Sequence, residues 1–72
     1  MKREITIKEL KETIFSSPQP PRWRLGQFVF NRVEEVYGEV AREVQFIDHV
    51  DCFYDDSKID RFLDCVQARL NS

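Results

Sequence analysis

Apolar residues recur at helical spacing in three stretches of this chain, and polar punctuation separates them. Ile7, Leu10 and Ile14 share one face when wound at 100° per residue. Thr6 followed by Glu9 forms a capping box, with Ile5 and Leu10 placed to close a hydrophobic staple over it. A helix is predicted over 7–15. The next segment, Ser16-Ser-Pro-Gln-Pro-Pro-Arg22, contains three prolines, which remove backbone donors and fix φ near −65°. It is expected to be a stiff, extended connector, with a proline-rich ligand for another domain as the less favoured reading.

The second helix is predicted over 24–37, with Gly38 as a left-handed stop. Leu25, Phe28, Val29, Phe30, Val33, Val36 and Tyr37 cover an arc of roughly 200°, about twice what a surface helix needs. This is the expected central helix, packed on two sides. Arg32 falls inside that arc and must snorkel outward or meet an aspartate. Residues 39–45 fit a short helix with Val40, Ala41 and Val44 inward. A strand is the alternative, since Val40, Val44 and Phe46 interleave with polar residues. The stretch 46–54 is irregular. A last helix is predicted over 57–70, where Ile59, Phe62, Leu63, Val66 and Leu70 make a stripe of about 100°. Asp55, Asp56 and Ser57 are all good N-caps for it, and Ser57 with Asp60 forms a weaker capping box. The pattern specifies an all-α fold: a small bundle of three main helices with a short fourth around one core.

Composition narrows the function classes. Seventy-two residues, 42% hydrophobic and 33% charged, make one compact unit with a thin stability margin, and nine aromatics suggest an aromatic core. The net charge is −2, but residues 1–24 carry six Lys or Arg against three Glu, whereas residues 25–72 carry five basic against ten acidic residues. Six aspartates between Asp48 and Asp64 make one end acidic. This distribution lacks the basic stripe usual for nucleic-acid binding. The start of the chain has no apolar leader core and no apolar run is long enough to span a membrane, so the cytoplasm is the expected location. Two cysteines do not imply a disulfide framework.

Catalytic and metal chemistry find little to build on. His49, Cys52 and Cys65, or Asp51, would make an incomplete zinc set, without the paired spacing such sites use. The aspartate run lacks the register of a calcium loop, and helix capping with a solvated face accounts for it better. No cofactor, no metal and no enzymatic activity are expected. Two features remain as candidates for contact with another protein. Arg24, Gln27 and Asn31 align one turn apart on the narrow polar face of the central helix. The segment around Asp51, Tyr54 and Asp55 places an aromatic among acids just before a helix start. The blander reading of the first is a solvated strip or amide capping of the proline connector, and of the second a loop anchored by Phe53 and Tyr54 before the last helix.

These same residues carry a resemblance. Arg24-Leu-Gly-Gln-Phe-Val-Phe-Asn31 and Asp51-Cys-Phe-Tyr-Asp-Asp-Ser-Lys-Ile59, followed by Phe62-Leu63, resemble a group of short hypothetical proteins of bacteriophages, prophages and mobile elements of gut bacteria. The resemblance spans about residues 22–70. Many of those proteins have proline where this chain has Cys52, which argues against a metal role for that thiol. The group brings no activity with it and implies a genomic setting only. The expected function is therefore a small non-enzymatic binding or modulator protein acting on another protein. A nucleic-acid accessory role for the basic N-terminal third with Trp23 is the alternative.

Overall fold

The computed structural model describes residues 4–72, and Lys2 and Arg3 of the basic N-terminal third lie outside the described residues. The described chain forms four α-helices and no strand: α1 (Ile7–Ile14), α2 (Leu25–Val36), α3 (Gly38–Phe46) and α4 (Ile59–Leu70), with a 3-10 turn at Asp56–Lys58 leading into α4. The all-α bundle expected from the pattern is the fold observed. Helix α2 packs on α3 and α1, α3 and α1 both pack on α4, and the 3-10 turn sits against α2.

The core is built from the predicted stripes: Leu10 and Ile14 of α1, Phe28, Val29, Phe30 and Val33 of α2, Ala41 and Val44 of α3, and Phe62, Leu63 and Val66 of α4. Truncating Phe28 or Phe62 would remove about 3–5 kcal/mol, most of what so small a domain has. The core is less aromatic than composition suggests. Phe28, Phe30 and Phe62 are buried, whereas Phe15, Trp23, Phe46 and Tyr54 are exposed. Leu25 and Val36 are also exposed, so the buried arc of α2 is narrower than the sequence pattern implies and centres on 28–33.

Helix ends depart from the sequence reading in instructive ways. Thr6 caps α1 as expected, accepting the Glu9 N–H at 3.1 Å. Ahead of it, the Ile5 backbone is clasped by the far end of the chain: its N–H donates to Asn71 Oδ1 at 2.7 Å, and its carbonyl accepts from Asn71 Nδ2 and Gln67 Nε2, both at 3.0 Å. Gly38 is not a left-handed stop. The corner between α2 and α3 falls on Tyr37 (φ −133°, ψ 56°), and Gly38 already belongs to α3. Among the described residues the one non-glycine with positive φ is His49 (φ 57°), after α3. There the turn returns the Val50 N–H to the Val44 carbonyl and buries Val50.

Residues 38–46 are helix, which decides against the strand alternative, and Phe46 points outward. Helix α4 is entered through Asp55, one of the expected N-caps, which caps the 3-10 turn, and the Ser57–Asp60 box does not form. The proline segment is not extended throughout. The Trp23 N–H closes a turn on the Pro20 carbonyl at 3.1 Å, and Gln19 Nε2 holds the Trp23 carbonyl at 2.7 Å. A polyproline ligand needs an extended backbone, which this turn interrupts. Arg32 meets no aspartate. It donates to the Thr13 and Ile14 carbonyls and to Ser16 Oγ, capping the C-terminus of α1 from α2, and pairs with Glu35 at 3.1 Å.

Candidate functional site

The N-terminus of α2 and the segment 51–56 meet, which brings the two candidate sequence features together. The junction is built on Gly26. Its N–H donates to Asp56 Oδ1 at 2.8 Å, so a carboxylate from a distant segment caps α2, where Arg24 offers no side-chain cap of its own. The Gly26 carbonyl accepts the Cys52 thiol at 3.3 Å. A Cβ at Gly26 would overlap the Cys52 carbonyl oxygen and come within 2.8 Å of Asp56 Oδ1, so only glycine allows this approach.

The segment 51–56 is itself stiff. Asp51 Oδ1 accepts the Phe53 N–H at 2.8 Å, closing an Asx turn, and its Oδ2 accepts from Gln45 Nε2 of α3 at 2.9 Å. Asp55 Oδ1 accepts from the Ser57 N–H and hydroxyl, bonds that hold its carboxyl below the usual carboxylate range. Cys52 is fully buried, and burial, reinforced by the charge of Asp51, pushes its thiol up to about 12. It remains a thiol at neutral pH and lies in the core. Among the described residues no group of three or more His, Cys, Asp or Glu is arranged to hold a metal ion, and no pocket is enclosed.

Tyr54 stands out from this scaffold. It is 78% exposed, the most exposed large hydrophobic side chain among the described residues. Its ring is nonetheless positioned: Phe53 meets it edge-on at 4.6 Å, and the Arg24 guanidinium sits 5.8 Å from its centroid, within cation–π range. Phe53 in turn packs edge-on against buried Phe30 at 5.9 Å. Arg24 Nη2 also reaches the Phe53 carbonyl at 3.4 Å.

The predicted residues therefore divide by role. Arg24 and Tyr54 are brought together on the surface, and both project outward. Asp51 and Asp55 cap the scaffold beneath them. Gln27 and Asn31 are half-buried on α2 and form no side-chain hydrogen bond among the described residues. Phe53 anchors the segment on Phe30, as the sequence suggested, whereas Gly26 and the capping of α2 by Asp56, expected only as a cap for the last helix, were not foreseen. A glycine in the first turn of a strongly apolar helix was the available signal for a close backbone approach.

No protein-family model matches the chain, and no curated protein or solved structure matches it either. Among the described residues no helix is long and apolar enough to cross a membrane.

Proposed function

We propose that this chain is a small non-enzymatic binding or modulator protein, encoded by a phage or mobile element and working in the cytoplasm. In this reading it acts on another protein through Tyr54 and Arg24. The observation that supports it most is the pairing of exposure with order at Tyr54. A ring left in water and held between Phe53 and Arg24 has little freedom left to lose on binding. Aromatic and arginine side chains are also those in which interface energy concentrates. The supporting aspartates contribute rigidity and not contact.

The test is a pull-down from bacterial lysate with the immobilised chain, read by mass spectrometry against single-residue variants. Tyr54→Ala and Arg24→Ala should each abolish capture of a defined partner while the helical circular dichroism spectrum stays intact. Glu12→Ala, on the exposed face of α1, should leave capture unchanged. Capture that survives both changes in folded protein places the contact elsewhere. Salt-sensitive retention on DNA or RNA, lost with Trp23→Ala, would replace this reading with the nucleic-acid alternative.

A further inference from the structure

We propose that the outer ridge of α3 is a contact surface for a second copy of this chain. Phe46 and Ile47, adjacent at the C-terminal end of α3, are 69% and 62% exposed. Unlike Tyr54, neither carries a polar group that water can satisfy. Phe46 continues a stripe with Glu39 and Arg42, spaced three and four residues apart on the side of α3 opposite the buried Ala41 and Val44. Glu39 and Arg42 take part in no ion pair among the described residues, whereas neighbouring Glu43 is held by Arg69 at 2.7 Å.

The order of these groups matters because a two-fold contact must be complementary to itself. Two α3 helices crossing antiparallel midway between Arg42 and Phe46, on the face opposite Val44, place Arg42 of each copy against Phe46 of the other, cation over ring, in two equivalent contacts. The surface is also preorganised. Arg69 of α4 grips both Glu43 and, at 2.9 Å, Asp48, so the chain on either side of Phe46 and Ile47 is fixed before association. This ridge is distinct from the Tyr54 surface. Arg69 lies in the last turn of α4 and the Tyr54 segment leads into its first, about 18 Å apart along a 12-residue helix.

A nine-residue helix offers less than the roughly 800 Å² per partner of a standard interface, so the pair is weak and forms at high concentration. Sedimentation equilibrium of the full chain from about 10 to 1,000 µM tests it. The weight-average mass should rise toward that of two chains. Phe46→Gln should stay monomeric throughout with an unchanged circular dichroism spectrum. Arg42→Ala should weaken association about tenfold, the loss of two cation–π contacts. Tyr54→Ala should leave it unchanged. A monomeric mass up to 1,000 µM overturns the proposal, as does a dimer that survives Phe46→Gln or is lost with Tyr54→Ala.

Discussion

The two ends of α4 hold their neighbours by different physics. At its N-terminal end, the segment 51–56 is locked to α2 through backbone groups: the Gly26 N–H on Asp56, the Cys52 thiol on the Gly26 carbonyl, and a backbone approach too close for any Cβ. At its C-terminal end, α3 and the turn after it are held by the Arg69 guanidinium gripping Glu43 and Asp48 at the surface. The first lock is steric and partly buried, so salt has little purchase on it. The second is electrostatic and solvated, so it weakens with ionic strength. Both ends leave apolar side chains in water, but only the first controls the pose of the side chain it exposes. That is why Tyr54 is the better candidate for a specific contact, and the Phe46–Ile47 ridge for a weak one.

The strongest challenge to this contrast is Gly26→Ala. The added methyl meets backbone that cannot rotate away, so α2 and the segment 51–56 must separate, at a cost of about 3 kcal/mol. Urea denaturation should show a large fall in midpoint, and an unchanged midpoint would mean that the lock is looser than its geometry. Asp56→Ala removes only the cap and should cost about 1 kcal/mol, with Asp56→Asn recovering part of it through its amide oxygen.

The C-terminal end predicts a pH signature that salt also weakens. Hydrogen bonding from Arg69, reinforced by its charge, holds the Asp48 carboxyl below its ordinary value of 3.8. A carboxylate whose folded pKa is depressed contributes stability that is fully present above the unfolded value and is lost as pH falls through the folded one. Asp48→Asn should therefore lower the melting temperature at pH 7. The gap from the unmodified chain should narrow progressively once pH drops below about 4. Added salt at pH 7 should narrow it as well. A gap of constant size from pH 7 down to strongly acidic pH would show that Asp48 acts through packing and not charge.

What was legible in the sequence follows the same division. Local signals were reliable: Thr6 with Glu9 marked the start of α1, the stripe from Ile59 to Leu70 located α4, and helical spacing of Val40, Ala41 and Val44 favoured α3 over a strand. Arg24 and Tyr54 were also singled out, and they touch. Side chains that act on a distant backbone were not legible. Arg32 capping α1, Asp56 capping α2 and Asn71 clasping Ile5 depend on helix packing that no window of sequence contains. The glycines were read least well. Gly38 suggested a left-handed stop for α2, where the chain turns on Tyr37 instead, and Gly26 in the first turn of an apolar helix hinted at a close approach without showing which segment makes it.

The smallest predicted effect separates these two uses of glycine. His49 adopts φ 57° at the turn after α3, a region that strains a side chain with a Cβ, although histidine tolerates it better than a branched residue. His49→Gly removes that strain but enlarges the conformational freedom of the unfolded chain, and the two terms oppose. Relief should win by about 0.5 kcal/mol, a rise of a few degrees in melting temperature for a domain of this size. Gly38→Ala should move the same way for a different reason. Its φ is not positive, a Cβ there meets nothing within 4 Å, and alanine suits the first turn of α3 better, again by about 0.5 kcal/mol. Both changes lie in the part of the chain held by surface charge, where the backbone has room to accept them. Set against Gly26→Ala, they give opposite signs for changes at glycine-like positions. If His49→Gly destabilises while Gly38→Ala stabilises, the histidine side chain contributes a contact at that turn which outweighs its strained backbone.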